Sequence, residues 1–227
     1  MCGRYSLSAT PQVIGRQFGV QVDSDLKPRY NVPPGTDVLV VRSDLDSGQR
    51  LAQQMHWGFT PSWAKPDDKR PRPINARAES VAEKPMFRNA YRSRRCILPA
   101  DGFYEWKVLE RGKQPYFVHP ANNPLFGFAG IYEVRRTDDG YQSSCAILTT
   151  GANAAMKRIH DRMPVILPPE AYSRWLDPKL DSPAELERLL VAIEAEEIAA
   201  YPVSTRVNAV KNDGSELIRP LETTDPH

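Results

Sequence analysis

Along most of the chain, aromatic and β-branched residues gather in short runs that Gly, Pro and Asn interrupt. That rhythm suits strands, because stiff branched side chains pack well on a pleated surface and turn residues end each run. It predicts strands at 37–41, 50–57, 96–99, 102–107, 115–119, 125–134, 143–149, 163–167 and 200–204. Helical spacing is confined to 11–18, 76–83, 85–92, 153–159, 169–176 and 183–193. Thr10 before Pro11 and Ser182 before Pro183 each set a capping side chain ahead of a proline at the first helical position. No repeat, low-complexity segment or long linker appears, and the 21 prolines are spread through the chain. The pattern predicts an α+β fold: one domain over residues 1–227, with a mainly antiparallel, curved, barrel-like sheet flanked by short helices.

At 227 residues the chain can bury a sizeable core. It has no apolar run of 18 residues, so no membrane span is expected. The N-terminus has no basic-then-apolar leader pattern, which points to a cytoplasmic protein. The three cysteines are widely spaced: Cys96 and Cys145 sit in apolar runs and read as core, and no disulfide framework is indicated. His56, His119, His160 and His227 show no ligand spacing, so no metal is expected. Neither GxGxxG nor GxxxxGK[ST] occurs, so no nucleotide cofactor is expected. Net charge is only +2, but residues 65–95 hold ten basic and four acidic side chains. Residues 181–197 hold six acidic side chains and one basic. This asymmetry fits a face turned to a polyanion and a plain solvated face equally well.

Four stretches set polar residues among apolar ones: CGR at 2–4, PINARAE at 73–79, ADGFYEW at 100–106 and RIHDRMP at 158–164. Each has an ordinary explanation. Cys2 can be a small buried hydrophobe, although a terminus is a poor place for one. Asn75 stands where a helix N-cap would lie. Glu105, alternating with Tyr104 and Trp106, fits an edge strand facing solvent. His160 fits a helix C-terminus, and Asp101, before Gly102, fits a turn. Trp57, Phe59 and Trp63 fall in a loop-rich stretch and suit base stacking; for Trp57, at a strand end, core packing fits as well.

MCGR at the terminus is followed, in order, by RYNVPPG (29–35), WGFTPSW (57–63), NARAES (75–80), RCILPADGFYEW (95–106), TTGAN (149–153), IHDRMPVIL (159–167) and NDGSELI (212–218). In this collinear set, spanning nearly the whole chain, the sequence resembles the SOS-response-associated peptidase family, which shields abasic sites in single-stranded DNA. Pro33, Phe59, Thr60, Ser80 and Ser215 depart from the family pattern, and none is a reacting group. The resemblance implies an active site of Cys2, Asn75, Glu105 and His160. It implies a single-stranded DNA partner containing abasic sites, met by Arg4, Arg77, Arg162, Thr149, Trp57 and Trp63. It further implies a monomer that needs no cofactor or metal and joins the nucleoid when bound to DNA.

The chemistry asks for such residues independently. Removal of Met1 would give Cys2 a free α-amine beside its thiol. An α-amine of pKa about 7.8 is partly neutral at physiological pH and condenses with the aldehyde form of an abasic deoxyribose. The thiol then adds to the imine carbon and closes a thiazolidine, with both nucleophiles on one residue. Glu105 and His160 suit the proton transfers, and Asn75 suits orientation of the amine. Two further readings stay open: a thiol peptidase acting on its own N-terminus, and a non-covalent single-strand binding module.

Overall fold

The computed structural model describes residues 2–65, 70–138 and 140–221. Met1, and residues 66–69 of the basic stretch, lie outside the described residues. In chain order the first strands are β1 (Tyr5–Leu7), β2 (Arg29–Val32), β3 (Asp37–Ser43), β4 (Arg50–Trp57) and β5 (Asn75–Arg77). There follow β6 (Arg95–Ala100), β7 (Gly102–Val108), β8 (Lys113–Pro120), β9 (Phe126–Thr137) and β10 (Gly140–Gly151). The last are β11 (Arg162–Pro164), β12 (Ile166–Leu167) and β13 (Ile198–Pro202).

Five strands close on themselves: β10 pairs with β4, β4 with β3, β3 with β6, β6 with β9, and β9 again with β10. Only the β10–β4 pair in this ring is parallel. Closure leaves no long free edge, and β5, β11 and β12 extend the pairing at the ends of β10 and β9. A second, antiparallel sheet runs β13–β8–β7–β1–β2. Tyr5 of β1 joins the sheets by packing edge-on against Trp57 and Phe128, at 5.4 and 6.1 Å between ring centroids. The α+β reading with a barrel-like sheet is what the structure shows.

Cys96 and Cys145 are buried free thiols in this core, as their apolar runs predict. The strands invisible to sequence were β1, β2 and β5, each of three or four residues and carrying polar side chains. The run at 163–167 divides into β11 and β12, which pair with different neighbours. The helix predicted at 11–18 is found with those bounds, and the other helices are shorter than their periodicity predicts. Among the described residues only α1 (Pro11–Phe18) is closed at both ends, by the Thr10 side chain and by Gly19 in the left-handed region at φ 67°. The others are α2 (Ala78–Val81), α3 (Arg88–Ser93), α4 (Tyr172–Leu176) and α5 (Pro183–Arg188). At 153–159 the Asn153 side chain accepts the Met156 N–H, but only a 3-10 turn, Met156–Arg158, follows. Among the described residues no helix is long and apolar enough to cross a membrane.

What ties the N-terminus down is Asp101. It sits at the β6–β7 corner, and its carboxylate accepts from Ser6 Oγ, from Ser8 N and Oγ, and from Ala9 N. The turn reading was therefore incomplete, since this side chain also pins the end of β1. Gly102 follows because a Cβ there would collide with the Val118 carbonyl and the Phe117 ring.

Candidate functional site

Cys2 enters β1 fully buried, and the Asn75 Nδ2 donates to its carbonyl at 2.8 Å. β5 holds Asn75 in place by pairing parallel to β10, with Asn75 opposite Ile147. The cap reading of Asn75 is thereby corrected: α2 begins at Ala78, so Asn75 lies inside a strand and its side chain is directed to the N-terminus. Its Oδ1 is buried and has no partner among the described residues, leaving an acceptor beside Cys2.

Glu105 lies on β7, which is flanked by β8 on one side and β1 on the other. β1 pairs with β7 only at Gly102 and Phe103, but Glu105 is only 4% exposed, so the solvent-facing reading fails. Its Oε1 stands 3.9 Å from His160 Nε2. His160 follows the 3-10 turn, its backbone N–H donating to Met156 O at 2.8 Å. Its Nδ1 lies 3.0 Å from the Arg162 backbone N–H and 2.8 Å from Asp161 Oδ1, so the ring has a partner for either tautomer. Burial and the Glu105 carboxylate together push the Cys2 thiol far above the usual thiol range. The structure thus brings the four predicted residues into two contacts, Asn75 with Cys2 and Glu105 with His160, coupled by the influence of Glu105 on the Cys2 thiol.

The predicted DNA ligands divide. Arg77 is exposed, and with Asn75, Lys84 and Met86 it lines an open groove of about 710 Å³. Trp63 is 53% exposed, with the Arg70 guanidinium 5.3 Å over its ring. Arg162 forms a two-pronged ion pair with Glu79, at 2.6 and 3.0 Å, and donates to Thr149 O at 2.7 Å. That pairing holds the Glu79 carboxyl below its usual range. Glu79 lies in the PINARAE stretch, but its pairing with Arg162 was hidden because the ion pair spans 83 positions.

Four predicted DNA contacts need correction. Trp57 is wholly buried, with its Nε1 bonded to Ile74 O at 2.9 Å, so no base can stack on it. Phe59 is likewise buried, against Phe87. Thr149 is buried at the floor of the groove and its oxygens are engaged by Arg162, so it positions that arginine. Arg4 turns inward to Asn31 Oδ1 and Val207 O, clasping the N-terminal strand to the C-terminal segment. The basic stretch also contributes less surface than its charge suggests. Arg94 pairs with buried Glu133, and Arg95 is buried among the carbonyls of Tyr91, Arg92, Trp175, Asp177 and Leu180. Among the described residues no three His, Cys, Asp or Glu side chains converge as a metal site.

Comparison with known proteins follows the same lines. The sequence model of a family described as SOS response associated peptidase (SRAP) matches residues 1–210. The abasic site processing protein YoaM of Bacillus subtilis is 43% identical over 223 residues, covering 96% of this chain and 97% of its own. The abasic site processing protein YedK of Escherichia coli is 36% identical, covering 97% and 100%. A solved structure from Bacteroides thetaiotaomicron matches with a TM-score of 0.86 at 28% identity, over 97% of this chain and 100% of that one.

Proposed function

Because the chain belongs to the SOS response associated peptidase family, we propose that it processes abasic sites in DNA, capturing them covalently in single strands through Cys2. The observation that carries this reading is the hydrogen bond from Asn75 to the Cys2 carbonyl, with the Glu105 carboxylate acting on the Cys2 thiol and itself beside His160. A terminus held this way fixes the α-amine and the thiol of one residue relative to an incoming aldehyde, which is the proximity such a condensation needs.

Loss of Met1 frees the amine. It attacks the aldehyde carbon of the ring-opened sugar, and the carbinolamine expels water to give an imine. The thiol sulfur then adds to the imine carbon, and its proton passes to nitrogen as the thiazolidine closes. Burial keeps this thiol protonated, so ring closure needs a base at hand, and Glu105 is the buried carboxylate that acts on it. His160, 3.9 Å from Glu105, is the second proton carrier of the site and serves the departure of water. The strand reaches the pocket along the groove of Arg77 and Lys84, and Trp63 offers an exposed ring for a base. A peptidase acting on its own N-terminus is compatible with this scheme, since cleavage after Met1 yields the same aminothiol.

The test is a denaturing gel of protein mixed with single-stranded abasic DNA, with and without borohydride. Cys2→Ser keeps the amine and is expected to give an imine that borohydride traps, with little stable adduct in its absence. Cys2→Ala abolishes the stable adduct while strand binding survives. Arg77→Glu weakens binding and lowers the salt slope by about one, because a phosphate contact releases counterions. A reductant-independent adduct formed by Cys2→Ser as fast as by the parent would contradict the thiazolidine.

A further inference from the structure

The scheme above uses Glu105 and His160 but gives no role to Asp161. His160 stands between two carboxylates: its Nε2 is 3.9 Å from Glu105 Oε1, and its Nδ1 is 2.8 Å from Asp161 Oδ1. Their surroundings differ greatly. The Glu105 side chain is 5% exposed, the imidazole 29% and Asp161 87%, so the three groups step from a buried pocket to solvent.

We propose that Asp161 and His160 form a proton relay between buried Glu105 and bulk water, with Asp161 the positioning residue that lets the imidazole pass protons. The inference rests on capture through an imine, as proposed above, and deepens that reading.

The proton inventory requires such a path. A terminal amine of pKa about 7.8 is largely ammonium at neutral pH. Ammonium, thiol and aldehyde give thiazolidine, one water and one proton, whereas the neutral amine gives thiazolidine and water alone. The released proton starts beside Cys2, which is fully buried. Glu105 takes it from nitrogen and passes it to a bare Nε2. The imidazolium so formed gives its Nδ1 proton to Asp161, and Asp161 yields it to water. The ring is left protonated at Nε2. That is the tautomer the Arg162 N–H stabilises through a bare Nδ1, whereas the Asp161 carboxylate stabilises the starting one, with Nδ1 protonated and Nε2 bare.

The Arg162 amide and the Asp161 carboxylate favour opposite states of the same nitrogen. The amide requires a bare Nδ1, and the carboxylate requires a protonated one. An imidazole held by the amide alone would stay in one tautomer. With both partners within reach, it can change state without leaving Glu105. When the adduct reverses, the steps run backwards: a proton enters through Asp161, leaves Nε2 for Glu105, and the starting tautomer returns.

The experiment measures the rate of adduct formation with protein in excess over a single-stranded abasic oligonucleotide, at neutral pH and low buffer concentration. Asp161→Asn keeps the size of the side chain but cannot carry a proton. It is expected to slow capture by about tenfold, less than loss of a direct general acid. Added imidazole buffer should restore the rate towards the parent's, and Asp161→Glu should retain most of it. Binding to a strand containing a tetrahydrofuran residue, which has no aldehyde, should be the same in all three proteins. Asp161→Asn as fast as the parent, or slow and unresponsive to imidazole, overturns the relay. If the parent itself forms no adduct, the proposed function falls and the relay with it.

Discussion

Trp57 and Trp63 belong to one short motif, yet the first is wholly buried and the second more than half exposed. Local sequence separates them only by the place of Trp57 at a strand end, where core packing and stacking fit equally well; what decides is Tyr5 and Ile74, which close over Trp57. Trp57→Ala should cost about 3–5 kcal/mol of stability in urea unfolding, the usual range for emptying a buried aromatic site. Trp63→Ala should leave the unfolding midpoint in place and weaken single-strand binding by about 1 kcal/mol or more, read by fluorescence anisotropy. Asn75 and Glu105 were singled out by type, but their settings were hidden. Asn75 looked like a cap because the helix was expected to start at 76 rather than at Ala78. Glu105 looked solvent-facing because its alternation with Tyr104 and Trp106 does not show that its side chain is buried beside His160. Asn75→Ala should slow adduct formation by about 100-fold, as misplacement of a reacting group does, while leaving affinity for tetrahydrofuran-containing DNA unchanged.

At the scale of elements, the strands were legible where branched and aromatic side chains are both plentiful and buried, as in β4, β9 and β10. The helices were over-read because a periodic run was extended past the point where capping stops. Among the described residues beyond α1, no α-helix has a side-chain cap bond at its N-terminus, and none is longer than six residues. Such short helices depend on packing rather than propensity. The element on which the site depends is β1, three residues long and secured from outside itself. Asp101 holds its end, Arg4 reaches Asn31 and Val207, and Asp213 accepts from the N–H groups of Tyr30 and Asn31 on the adjoining β2. Asp101→Ala removes four charge-assisted hydrogen bonds and should cost about 3 kcal/mol in denaturant unfolding. It should also speed amide exchange at Ser6 and Ser8 selectively, since β1 then frays before the barrel does. Equal exchange in parent and variant would contradict this account of the terminus.

Taken as a whole, the molecule buries an unusual set of acids in their neutral form. Burial raises the thiols of Cys2, Cys96 and Cys145, and it raises the phenols of Tyr91 and Tyr172 to about 12. Each of these groups holds its proton longer in the folded than in the unfolded chain, so the unfolded state binds fewer protons as pH rises. Stability is therefore full below the ordinary thiol pKa, about 8.5, and falls above it, by up to roughly 1 kcal/mol per pH unit for each thiol. The phenols add to this loss above about pH 10. Urea midpoints at pH 7 to 10 should decline above pH 9, and a flat profile would contradict neutral burial. Charge at this scale was only half legible. The basic stretch supplies Arg77 and Lys84 to the groove but spends Arg94 and Arg95 on internal partners, a division that composition cannot show. The central claim is that Cys2 joins abasic DNA through both nitrogen and sulfur. The most direct measurement is the intact mass of the isolated adduct before and after borohydride. The expected mass is that of the chain without Met1 plus the oligonucleotide, less one water, and unchanged by borohydride because a closed thiazolidine has no imine to reduce. An adduct that retains Met1, or one that gains hydrogen on reduction, would contradict it.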